Sequence, residues 1–261
     1  MRFVMIAAVV MTNLAGAARA DVAEGLALLQ QGDASQASAQ FAAAFEAGDA
    51  AGAFWLGRMF ELGIGAAPDP MRAANLYAAA AEGGDPAGQL RLGLMYHEGT
   101  VLLRDYVEGS RLICAAAEGG LAEAQVACGL AHEAGRGVDA DSLRAEGLWQ
   151  SAAEAGNVAA MNLLGAAALR SEDVATARNW FARSADAGNA VGMVETARLL
   201  EAADEPDLIE AYALASLAVV RAHPEAGVLR DRIEGQLTAT EVTQAQARAR
   251  DWTQNQMQAA D

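Results

Sequence analysis

Cys114, Cys128, His97, His132 and His223 are the residues here best suited to nucleophilic or metal chemistry. Cys128 and His132 stand four apart, so on a helix they share one face, as a nucleophile and its base would. No third group is apparent to orient the imidazole. Cys114, Cys128, His132 and His97 could hold zinc if the fold brought them together. No C-x-x-C or H-x-x-x-H spacing supports that, so no metal ligand and no cofactor is assigned. His223 precedes Pro224 and reads as a turn residue. All 18 basic residues are arginine. Without lysine there is no P-loop, no Ser-x-x-Lys acyl-enzyme and no Schiff base. A formal charge of −16 argues against nucleic acid and anionic membrane surfaces as partners. No catalytic residue is assigned, and the chain is read as a non-enzyme.

The elements that carry these residues repeat. Gly48, Gly84, Gly120, Gly156 and Gly188 recur at steps of 36, 36, 36 and 32 residues. Nine residues after each lies Gly57, Gly93, Gly129, Gly165 or Ala197, and eight after lies Leu56, Leu92, Cys128, Leu164 or Thr196. Seven before lies Phe41, Tyr77, Ile113, Trp149 or Phe181. Offsets of 4, 8 and 11–12 on one side, and of 3–4, 7 and 11 on the other, each trace one helical face. Every repeat is therefore two helices, brought close by small residues and filled by one bulky residue each. The aligned glycine ends the second helix, and Asp49, Asp85, Asn157 and Asn189 cap the next first helix. Gly63-Ile64-Gly65, Gly99-Thr100-Val101 and Gly135-Arg136-Gly137 link the helices within a repeat, with Asp69, Asp105 and Asp141 placed to cap the second. The fourth repeat lacks this loop and has Arg170-Ser171-Glu172-Asp173 instead. In this frame Cys128 and His132 fall where Leu56 and Phe60, and Leu92 and Tyr96, stand, which are core positions. Glu46, Glu82, Glu118, Glu154 and Asp186, each two before the glycine, read as a repeat rule beside the positive end of the next helix.

Leu56-Gly57-x-x-Phe60, Leu92-Gly93-x-x-Tyr96, the G-x-G loops and the Ala80-Ala81-Glu82-Gly83-Gly84 ending resemble the Sel-1-like repeat family, a relative of the tetratricopeptide repeat. The resemblance covers about residues 33–226. It implies an all-α fold, a right-handed α-solenoid of stacked antiparallel helix pairs. It also implies a protein-binding adaptor, with exported bacterial relatives acting in envelope signalling or complex assembly. The alternative it raises is a cysteine-containing hydrolase of β-lactamase type. The expected organisation is a signal peptide over 1–20, lead-in helices over 21–47, repeats over 48–222 and capping helices over 223–261.

Residues 1–20 carry Arg2, an apolar run from Phe3 to Met11 too short to span a bilayer, and Ala18-Arg19-Ala20 before a cut after Ala20. A periplasmic or secreted location follows as an expectation, with a mature charge of −18 because cleavage removes two arginines and no acid. Two cysteines in an exported chain favour a Cys114–Cys128 disulfide. Against it, Cys114 sits at the edge of the packed face, where its Cβ need not point at Cys128. Offsets 7, 10 and 14 after the glycine place Trp55, Arg58, Arg91, Leu94, Leu130, Arg170 and Arg198 along the groove face of the first helices. Tryptophan beside arginine is the composition of a binding hot spot. The plainer reading has Trp55 packed on the lead-in helices and the arginines paired with nearby Glu.

Overall fold

The computed structural model describes residues 21–259. The expected signal peptide over 1–20 lies outside them. Among the described residues the chain is all helical, with α1 Val22–Gln30, α2 Ala34–Glu46, α3 Ala50–Leu62, α4 Pro70–Glu82, α5 Pro86–Glu98, α6 Tyr106–Glu118 and α7 Ala122–Ala134. There follow α8 Ser142–Glu154, α9 Val158–Arg170, α10 Val174–Asp186, α11 Ala190–Glu201, α12 Leu208–Val220, α13 Ala226–Glu234 and α14 Ala239–Ala259. The chain divides into two compact units between Asp105 and Tyr106.

The first unit holds α1–α5. Its helices pack through a ring-on-glycine rule. Tyr77 of α4 is fully buried against Gly57 of α3, where an added Cβ would lie 2.7 Å from the ring. Glycine is required there because the ring lies where a side chain would stand. Phe41 of α2 fills the same place on Gly25 of α1, so the lead-in pair is itself built like a repeat. Gly48 and Gly84 turn the chain with φ of 91° and 80°, and Asp49 and Asp85 then cap α3 and α5.

The second unit holds α6–α14. Trp149 packs on Gly129 and Phe181 on Gly165 under the same rule. Asn157 and Asn189 cap α9 and α11. A separate core of Met193, Val194, Leu217 and Ile233 joins α11–α13, and Ala245 and Trp252 of α14 close it. Thr238 begins the last helix: the Thr238 backbone N–H donates to the Glu241 carboxylate at 2.8 Å, and the Thr238 hydroxyl accepts from the Glu241 N–H at 3.4 Å. This is a reciprocal capping box.

Candidate functional site

Cys128 and His132 share the buried face of α7. Cys114 and Cys128 are joined by a disulfide, with Cα atoms 5.0 Å apart, which ties α6 to α7. Both sulfurs and one His132 ring nitrogen lie within 4.8 Å of one another. With the sulfurs bonded to each other, neither is a thiolate, which is the form that attacks or ligates. His132 Nδ1 is 3.0 Å from the Asp139 carbonyl, so it holds the loop that follows its own helix. The constellation is structural: a staple beside a loop anchor.

The groove-face residues are decided by their partners. In the first unit Trp55 is half-buried, stacked on Phe41 with centroids 6.0 Å apart and edge-on to Phe54 at 5.3 Å. It belongs to the cluster that includes Leu26 and Leu29 of α1, which is the plainer reading of that residue. Arg58 and Arg91 converge on Glu61, Arg58 at 2.8 Å, and Tyr77 donates its hydroxyl to the same carboxylate at 2.6 Å. Burial pushes the Glu61 carboxyl up, but the Tyr77 hydrogen bond together with Arg91 and Arg58 outweighs it and holds the acid below the ordinary carboxylate range. Burial and the Glu61 carboxylate in turn push the Tyr77 phenol well above its usual value. Two guanidiniums on one carboxylate leave a local excess of positive charge. Arg91 Nε is buried with no hydrogen-bond acceptor among the described residues. Leu94 is half-buried on the same helix.

In the second unit Leu130 is 46% exposed, Arg170 pairs with Glu133 at 2.8 Å, and Arg198 pairs with Glu195 at 2.9 Å and with Glu225. The arginines are thus held by acids rather than presented bare. Glu61, Glu133 and Glu225 are the residues that sequence reasoning missed. Arg58 and Glu61 are three apart on one helix, and that spacing was a legible signal. Arg91–Glu61 and Arg170–Glu133 join different repeats and left none.

Comparison with known proteins places this geometry. Residues 50–85, 86–121, 122–157 and 158–189 match the Sel1 repeat. The chain is similar to the crystal structure of c5321, a protective antigen of uropathogenic Escherichia coli with an SLR fold. The TM-score is 0.76 and the identity 28%, over 90% of this chain and 54% of that one, so the chain spans about half of that protein's length. It is also similar to a Sel1 repeat protein from Oxalobacter formigenes, at a TM-score of 0.75 and 26% identity, over 88% of this chain and 99% of that one. An immunity protein of Pseudomonas aeruginosa, Pa5087, shares the fold at a TM-score of 0.51 and 17% identity, over 76% of this chain and 81% of that one. No curated protein matches the sequence.

Proposed function

Because the chain belongs to the Sel1 repeat family, whose repeats generally serve as non-catalytic scaffolds for protein–protein interaction, we propose that it is an exported bacterial adaptor or regulator that grips a partner protein in the cell envelope. The observation that carries the reading is the face of the first unit. There half-buried Leu94 stands one helical turn from Arg91 of the Arg58–Glu61–Arg91 cluster, positive in a chain of charge −16. A preorganised guanidinium pair beside apolar surface fits an acidic partner, and the ion pairs hold the arginines ready at little further entropic cost. Exposed Leu130 offers a second anchor in the second unit. A periplasmic location rests on the composition of residues 1–20. No described helix is long and apolar enough to cross a membrane.

Catalysis has no support in these residues. The disulfide occupies both sulfurs, and without lysine the acyl-enzyme chemistry of β-lactam hydrolysis lacks its usual base. The purified protein should leave a chromogenic β-lactam intact. The binding reading is tested by photo-crosslinking in cells. A crosslinker at Leu94 or Leu130 should give one discrete protein adduct, while one at exposed Met71 gives none. No adduct from either position, or equal adducts from Met71, would overturn it.

A further inference from the structure

We propose that the fourth repeat carries a docking groove for a basic, glycine-containing turn of a partner protein, in the place that a glycine loop of this same chain fills in other repeats. The proposal rests on the adaptor reading and names a second contact for it.

The loops of the first and third repeats fold back onto the start of the second helix before them. In the first repeat a Cβ on Gly65 would lie 3.1 Å from the Cβ of Ala34, the first residue of α2, and Ile64 packs in the same cluster. In the third repeat the Ser110 hydroxyl donates to the Arg136 carbonyl at 2.6 Å, and a Cβ on Gly137 would collide with the Tyr106 carbonyl at 1.8 Å. Tyr106 and Ser110 are the first and fifth residues of α6. In the third repeat the loop is also held from its own first helix, where His132 bonds the Asp139 carbonyl; Phe60 and Tyr96 occupy the same repeat position.

The fourth repeat loses both parts. Its connection, residues 171–173, is four residues shorter than residues 135–141, and Ala168 stands where the other repeats carry a ring. What remains is an open groove of about 530 Å³ over α8, against about 290 Å³ for its loop-lined counterpart in the first repeat. Leu143, Glu146, Gly147, Ala168, Asp173 and Trp180 line it. Glu146 is the fifth residue of α8, as Ser110 is of α6. Leu143 is 82% exposed, and a Cβ on Gly147 would meet nothing within 4 Å.

The chain's own loops say what fits. Backbone approaches too closely at Gly137 for a side chain, so the occupant needs a glycine at the contact. Glu146 and Asp173 supply carboxylates, and Glu146 forms no ion pair among the described residues, so the adjoining residue is basic. Exposed Leu143 gives apolar surface beside them, and Arg183 stacks over one face of Trp180 at 4.3 Å.

The probe is a capped pentapeptide with the sequence of residues 134–138, Ala134 to Val138, titrated at millimolar concentration into ¹⁵N-labelled protein. Saturable shifts are expected at Glu146, Gly147, Ala168 and the Trp180 indole N–H. The same peptide with Arg136→Glu should bind about tenfold more weakly or worse, as like charges meet across the contact. Gly147→Phe in the protein, which fills the groove where an added Cβ now meets nothing, should abolish the shifts. Glu146→Gln, which leaves packing intact, should weaken binding severalfold even if Gly147→Phe disturbs the fold. Absence of saturable shifts, equal binding of the Arg136→Glu peptide, or indifference to both protein variants would overturn the proposal. A dimer in sedimentation that Gly147→Phe turns into a monomer would also overturn it, because the occupant would be a second copy. Crosslinking from Leu94 and Leu130 reads the adaptor function separately. A missing adduct with intact peptide binding defeats the adaptor reading alone, and the reverse defeats the groove alone.

Discussion

At the scale of single residues, Glu61 does the most for the first unit. It ties α3 to α4 through Tyr77 and to α5 through Arg91. Its carboxyl is held below the ordinary range, so its charged form is favoured more in the folded than in the unfolded chain. The stabilisation is therefore present above the unfolded value near 4.5 and is lost as pH falls through the folded one. Glu61→Gln should cost about 1–3 kcal/mol at pH 7. The gap to wild type should close as the pH is lowered through and below the ordinary carboxylate range, in thermal melts run across that range. A gap that stayed constant with pH would assign the loss to shape rather than charge. Ala222 is a second residue with a measurable cost. It sits at φ 58° where the other repeats carry glycine. Ala222→Gly should raise stability by about 0.5–1 kcal/mol, the left-handed strain relieved less the entropy added to the unfolded chain. A melting temperature that falls on this substitution would show that the position is not strained.

At the scale of elements, the Cys114–Cys128 bridge joins consecutive antiparallel helices across 14 residues of sequence. Closing a loop of that length stabilises by about 3 kcal/mol through the unfolded chain. Titration of the denatured protein should find no thiols before reduction and two after it, and reduction should lower the melting temperature. Cys128 stands where Leu56 and Leu92 stand in other repeats, so it also packs as a small apolar residue. An unchanged melt on full reduction would mean that α6 and α7 hold together by packing alone. The capping side chains of Asp49, Asp85, Asn157 and Asn189 mark the start of four first helices. Each satisfies a backbone N–H that the helix cannot.

At the scale of the molecule, a repeat chain is held mostly by contacts between sequence neighbours. Leu92 is buried in α5. Leu92→Asp would place an uncompensated carboxylate there, at about 3 kcal/mol or more. Hydrogen exchange should then show protection lost first in α3–α5, with far less change in α11–α14. Uniform loss from one end to the other would contradict nearest-neighbour stability. The proposed export is also tested on the whole chain. Intact mass of the protein recovered from the envelope should correspond to a start at Asp21, and retention of Met1 to Ala20 would exclude the expected cut.

Period and residue size determined the helices by themselves. A glycine every 36 residues, with small and bulky residues at constant offsets, is local information, because each helix shows its buried stripe in its own 3.6-residue period. That is why the helix pairs, the Asp and Asn caps and the ring positions Phe41, Tyr77, Trp149 and Phe181 were legible in advance. The groove face was legible as a set of positions but not as chemistry. Arg91 reaches Glu61 thirty residues away, and Arg170 reaches Glu133 thirty-seven away. Such pairing depends on how neighbouring repeats rotate against one another, which no offset within a repeat encodes. The direction of the Cys114 Cβ was undecided for the same reason. The missing loop of the fourth repeat could be seen in the letters. That its absence opens a groove over Glu146 and Gly147 was decided only in three dimensions, where the loop of one repeat is found to lie on the helix of the repeat before it.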